Sequence, residues 1–200
     1  KKAFMALAAG ILVTFGAHAV EQLDIRKITN GTYSAQGVGG MRSMNDGEHY
    51  MMIGGGGTSI VRYAFKTGEV VDTLFSVDNA RGCDFKRFDG YIMSPAEDRI
   101  LIQTNTKAIY RRSFTADYYI YDVKNKKMVP LSAGGPQQVP SFSPDGKMIA
   151  FVRDNNIFLV KLLFNNSESQ VTTDGKFNEV LNGIPDWVYE EEFTMNKCYE

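Results

Sequence analysis

Apolar residues along this chain fall into short runs behind turn-forming residues, and the arrangement occurs three times. Asn45-Asp46-Gly47-Glu48-His49 leads into Tyr50-Met51-Met52-Ile53, Ser94-Pro95-Ala96-Glu97-Asp98 into Ile100-Leu101-Ile102, and Ser143-Pro144-Asp145-Gly146-Lys147 into Met148-Ile149-Ala150-Phe151-Val152. Aligned on the turn, Gly47, Glu97 and Gly146 stand 50 and 49 residues apart. Proline suits the first corner of a tight turn and glycine the positive φ that follows. Each apolar run reads as a buried strand. A second strand follows it, as in Tyr118-Tyr119-Ile120-Tyr121-Asp122 or Ile157-Phe158-Leu159-Val160, then a polar turn such as Lys124-Asn125-Lys126-Lys127 and a short outer strand. Ile60 to Phe65, Lys66-Thr67-Gly68 and Val70 to Leu74 give that order in the first unit. Helical periodicity is nowhere sustained.

A period near fifty residues predicts an all-β architecture of four-stranded propeller blades. About three blades are expected over residues 20–200, with a fourth begun near Asn178. Propellers close with four to eight blades, so the chain reads as the incomplete N-terminal part of one. An open stack leaves an apolar face and a strand edge in water, so poor folding of this piece by itself is expected.

Composition narrows the function classes. The hydrophobic share of 44% fits a globular chain, and ten Tyr and thirteen Phe suit pleated surfaces. The formal net charge is −1, so the basic excess expected of a nucleic-acid binder is absent. The two cysteines, Cys83 and Cys198, form no CxxC pair, and their spacing gives no support to a disulfide. With only His18 and His49, no His-rich metal site is expected, and no cofactor is implied.

The first nineteen residues carry a separate message. Lys1-Lys2, the apolar run Phe4 to Phe15 and the small-x-small Ala17-His18-Ala19 together read as a bacterial-style secretory signal peptide, with mature protein beginning near Val20. The apolar run is short for a bilayer span. Export across the inner membrane, to the periplasm or the outer membrane, is the expectation.

Two segments could carry chemistry. Asp186-Trp187-Val188-Tyr189-Glu190-Glu191-Glu192 places three carboxylates behind bulky aromatics. A charge run is ordinarily a solvated face. Carboxylates anchored by aromatics could instead capture a ligand ammonium through charge-assisted hydrogen bonds. Arg111-Arg112 could hold a peptide carbonyl or carboxylate with forked donors, or be surface arginines or ion-pair partners of the acidic run. Gly54 to Gly57 lacks the Lys-Ser/Thr ending of a phosphate loop and reads as a flexible connection. Asn30-Gly31-Thr32 and Asn165-Asn166-Ser167 match a glycosylation sequon short enough to arise by chance. No Gly-x-Ser-x-Gly elbow occurs, so no catalytic residue is assigned in this chain.

Asp186 to Glu192 resembles the double-glutamate motif of the dipeptidyl peptidase IV branch of the prolyl oligopeptidase family. Tyr110-Arg111-Arg112-Ser113-Phe114-Thr115-Ala116 through Asp122 resembles its substrate-binding arginine segment, and Val139 to Lys147, Arg153 to Phe158 and Val171 to Gly175 are similar to its blades. The likeness covers residues 22–193, and residues 194–200 are read as departing from it. It implies the first part of an eight-bladed propeller whose partner, an α/β-hydrolase domain with Ser, Asp and His, is absent from this chain. It implies that Glu191 and Glu192 bind the free α-amino group of a peptide, that Glu190 is structural, and that Arg111 contacts the carbonyl of the first residue. The parent enzyme is then a secreted serine-type dipeptidyl peptidase, a homodimer, that removes N-terminal dipeptides with Pro or Ala second; this chain alone is expected to be inactive. The alternative is a non-enzymatic periplasmic propeller of the TolB type, an interaction platform with similar Ser-Pro-Asp-Gly turns.

Overall fold

The structure is a computed structural model that describes residues 23–199, apart from 36, 38 and 164. The signal-peptide expectation, on residues 1–19, lies outside the described residues. The described residues before position 39 form one unit and those from 39 onward another. In the first, a short helix α1 (Ile25–Thr29) is capped by Asp24, whose side chain accepts from the Arg26 amide.

The second unit is built of three four-stranded antiparallel sheets in chain order. The first holds β1 (Arg42–Ser43), β2 (His49–Gly54), β3 (Ser59–Ala64) and β4 (Val70–Ser76). β5 (Gly90–Met93), β6 (Arg99–Ala108), β7 (Phe114–Asp122) and β8 (Lys127–Pro130) form the second. β9 (Gln138–Phe142), β10 (Met148–Arg153), β11 (Asn156–Lys161) and β12 (Ser167–Gln170) form the third. Every sheet is a meander whose strands pair in sequence order. These are propeller blades, with the fifty-residue period as their repeat.

The repeat turns set each blade's first hairpin. Gly47 and Gly146 adopt φ of 70° and 68°, the left-handed conformation that glycine takes without a steric cost. Glu97 occupies the same corner at φ 57°, where a side chain costs about 1 kcal/mol. Its carboxylate compensates by accepting from the Asn45 amide at 2.9 Å, while the Asn45 side chain donates to the Pro95 carbonyl at 2.8 Å. Successive turns are thereby tied to each other. In the second and third turns a serine hydroxyl caps the corner: Ser94 donates to Asp98 and accepts from the Arg99 amide, and Ser143 does the same for Asp145 and Met148.

Apolar side chains between blades make two cores. Met51, Ile60 and Phe75 of the first sheet pack with Met93, Ile100, Ile102 and Tyr121 of the second. Leu101, Ala116, Tyr118 and Ile120 of the second pack with Ile149, Phe151, Phe158 and Val160 of the third. Side chains alternate along a strand, so β6 sends Ile100 and Ile102 to one core and Leu101 to the other. This explains why the strand reads as a continuous apolar run.

The tetraglycine is more than a connection. Gly55, Gly56 and Gly57 all take positive φ in the β2–β3 turn. Gly57 also accepts from the Phe88 amide at 2.8 Å, and a Cβ there would stand 2.7 Å from the Phe88 carbonyl oxygen. The turn thus anchors the entry to the second blade.

Beyond Gln170 no strand of a fourth sheet occurs among the described residues. An isolated bridge joins Lys176 to Val180, and Trp187–Phe193 form helix α2. The helix is seven residues long, too short to register as a period. Its signal is local: Asp186 accepts from the Tyr189 amide at the N-cap, and Thr194 closes the C-terminus at φ 57°. Cys83 and Cys198 are both unpaired.

Candidate functional site

The second blade differs from its neighbours in one respect. β6 and β7 are ten and nine residues long, against six in each strand of the β2–β3 and β10–β11 hairpins. The extra length carries the turn Ile109–Ser113 outward, closed by the Ile109 amide on the Ser113 carbonyl at 2.9 Å. A bulge between Thr104 and Lys107 redirects the extension. It is braced where Asp89 accepts from both the amide and the hydroxyl of Thr106, at 3.0 and 2.8 Å.

Helix α2 meets this turn. Glu190, only 3% exposed, is the one buried residue of the helix. Its Oε1 accepts from the backbone amides of Arg112 and Ser113, both at 2.9 Å. On the next residue, the Glu191 carboxylate pairs with Arg111 Nε at 3.1 Å, its own side chain 10% exposed and that of Arg111 73%. Glu192 is exposed and engages no hydrogen bond or ion pair among the described residues. Segments 77 and 78 residues apart are thus brought together. Of the three predicted site residues, Arg111 and Glu191 are in contact, and Glu192 follows Glu191 on α2 without a hydrogen bond or ion pair to the turn. Arg111 serves as the ion-pair partner of the acidic run. What the sequence did not reveal is that the turn is held by its backbone amides, since any residue type supplies an amide.

Burial pushes the Glu190 carboxyl up, but the Ser113 side chain, the two amides and the Arg112 guanidinium outweigh burial and hold it below its ordinary value of 4.5. The Ser113 hydroxyl oxygen beside it is buried without a hydrogen bond of normal geometry. A carboxyl lowered on folding contributes its full stability above the ordinary value and loses it as pH falls through the lower folded value. Other charges near the contact are Arg111, Glu191 and the Asp186 cap. Trp187, the sole tryptophan, sits on the same helix and reports on it. Its emission is expected to shift below about pH 4.5 as α2 loosens, and Glu190→Gln should remove that component. An acid shift in emission that is the same in Glu190→Gln as in the unsubstituted protein would contradict the assignment.

Glu191 is paired with Arg111, and Glu192 has no ion-pair partner among the described residues. Such carboxylates can accept a cation, and an ammonium has the donors to engage them. Behind the turn lies a cavity of about 280 Å³ lined by Gln103, Arg112, Ser113, Tyr118, Asn196 and Lys197, among others. Among the described residues no group of His, Cys, Asp and Glu is placed to hold a metal ion.

Residues 94–200, which hold both motifs, match the model of the dipeptidyl peptidase IV N-terminal region. The match includes residues 194–200, which the sequence analysis set outside the family pattern. Their packing shows why that was mistaken. The Tyr199 hydroxyl donates to the carbonyls of Val139 and Ala150, the Cys198 amide to the Gly183 carbonyl and Lys197 Nζ to the Ser141 hydroxyl. The segment is thus laid back on β9 and β10. A crystal structure of Porphyromonas gingivalis dipeptidyl peptidase 4 is similar at 49% identity and a TM-score of 0.81, over 88% of this chain and 25% of that one. Probable dipeptidyl peptidase 4 of Aspergillus fumigatus is 45% identical over 104 residues, 51% of this chain and 13% of the relative. Prolyl endopeptidase FAP of Homo sapiens is 31% identical over 181 residues, 90% of this chain and 23% of the relative. The chain therefore spans a quarter or less of these proteins. With the blades, the extended arginine hairpin and the acidic helix all present, the chain belongs to the dipeptidyl peptidase IV N-terminal region family.

Proposed function

We propose that this chain is the substrate-gating propeller part of a secreted dipeptidyl peptidase that removes N-terminal dipeptides with Pro or Ala in second position. Glu191 and Glu192 take the free α-amino group of the peptide, and Arg111 takes the carbonyl of its first residue. The observation that carries this reading is the pairing of Arg111 with Glu191, the residue that precedes the exposed Glu192 on α2. A carboxylate is already oriented by a guanidinium, and one negative charge awaits a partner. An ammonium bound there fixes the peptide's first residue, so cleavage falls a set distance further along. The chemistry is acyl transfer by the serine, histidine and aspartate of an α/β-hydrolase domain, none of which this chain supplies. Export rests on residues 1–19, and the acting species is a homodimer of the longer polypeptide, in the periplasm or at the outer membrane.

The test uses the full-length gene product with a chromogenic Ala-Pro substrate and its N-acetylated counterpart. Release from the free amine and at least a hundredfold less from the acetylated form is the expected result, since acetylation removes the charge that the two carboxylates would hold. Equal hydrolysis of both, or of neither, would overturn the proposal.

A further inference from the structure

We infer that Glu190 is a positioning residue that fixes where the Arg111 side chain stands relative to Glu191 and Glu192. This rests on the reading of those three as the anchors of a peptide amino terminus, and it assigns the next acidic residue a distinct task.

The argument begins with what would hold the turn otherwise. Arg111 lies at the tip of a hairpin extended beyond its sheet, its side chain mostly in solvent and tethered by a single contact through Nε. Loop tips of this kind open at little free-energy cost unless tied down. Glu190 ties this one by the backbone: one carboxylate oxygen receives the amides of both residues that follow Arg111. Two consecutive amides converging on one atom set the orientation of the peptide planes, and the Arg111 Cα moves with them.

The helix makes the coupling direct. Glu190, Glu191 and Glu192 are consecutive, each about 1.5 Å further along the axis and about 100° round it. The residue that grips the arginine turn is therefore rigidly joined to the residues that face a ligand amine. Burial at this position also favours geometry over stability as its purpose. Trp187, Val188, Tyr189 and Phe193 are all at least half exposed, while a glutamate takes the single buried place. A desolvated charge is a poor source of stability compared with a packed apolar side chain.

The experiment compares Glu190→Ala and Glu190→Gln in the full-length gene product, with Glu191→Gln alongside. Two readouts are taken: hydrogen exchange at the Arg112 and Ser113 amides, and KM and kcat for a free-amine Ala-Pro substrate. In Glu190→Ala both amides are expected to exchange at least tenfold faster and KM to rise about tenfold to a hundredfold, with kcat within about twofold. Glu190→Gln retains an acceptor oxygen, so its KM should rise only about threefold. A role confined to stability would instead lower the active fraction and leave KM alone. If Glu190→Ala does not fold, Glu190→Gln carries the same test with the smaller shift. Unchanged exchange at the two amides overturns the inference. So does an unchanged KM when Glu191→Gln has raised it. KM unchanged in the Glu191 variant as well would overturn the anchoring reading itself, and the positioning role would fall with it.

Discussion

Replacing Glu191 by alanine in the full-length gene product is expected to lower kcat/KM for release of an N-terminal dipeptide by about a hundredfold, roughly 3 kcal/mol of lost binding. The magnitude follows from burial. The Glu191 side chain is 10% exposed, and its carboxylate is already oriented by Arg111. On the proposed reading, truncation removes the ligand's partner and leaves the Arg111 guanidinium facing the same spot, so repulsion replaces attraction. The ammonium is present in ground state and transition state alike, so the loss should fall on KM more than on kcat. Glu192→Ala should cost less, because an exposed carboxylate is screened by water. A change below about threefold for Glu191→Ala would mean that the amine is held elsewhere.

Truncating Phe75 to alanine is expected to destabilise the protein by about 3–5 kcal/mol, a large part of the 5–15 kcal/mol typical of a domain. Phe75 is the sole buried residue of β4, at 1% exposure. Its ring lies edge-on to Tyr121 at 4.9 Å and to Phe88 at 5.4 Å, so it bridges the first and second blades. Each such edge-to-face pair adds about 0.5–1.5 kcal/mol beyond the area it buries. The measurement is the urea midpoint at unchanged slope. A loss under about 1 kcal/mol would show that the blades close over the gap, and that their joint is softer than its packing indicates.

How much of this was legible beforehand depended on whether a feature is periodic. The blades were legible because a turn and an apolar run recur at 50 and 49 residues, and the turn's physics survives substitution: Glu97 takes the corner that Gly47 and Gly146 hold. The site residues Arg111, Glu191 and Glu192 were readable as types and through the family likeness. The ion pair of Arg111 with the acidic run was one of the readings open. The hold of Glu190 on the turn was not legible, since it spans 77–78 residues and runs through backbone amides. Helix α2 escaped notice for two reasons. It has only seven residues, and its buried position is a glutamate while its apolar side chains face out, the reverse of the pattern by which helices are found. The tail 194–199 was misjudged because its hold on β9 and β10 comes from one tyrosine hydroxyl and one lysine, with one amide bonded to Gly183, not from a pattern.

The two-sided burial of β6 has a consequence for how this strand finds its place during folding. In a sheet with one wet face, sliding a strand by one residue puts apolar side chains in water and is penalised at once. Here Ile100 and Ile102 enter one core and Leu101 the other, so a slip by one position exchanges isoleucine for leucine at two of the three places and brings Arg99 or Gln103 to the third. Hydrophobicity penalises that error at one place only. Discrimination falls to the strand's ends, to the hydroxyl of Ser94 clasped between Asp98 and the Arg99 amide, and to Asp89 holding Thr106. Those polar clasps act as the alignment marks of an otherwise featureless strand, and the arginine turn stands in its place only when they are read correctly.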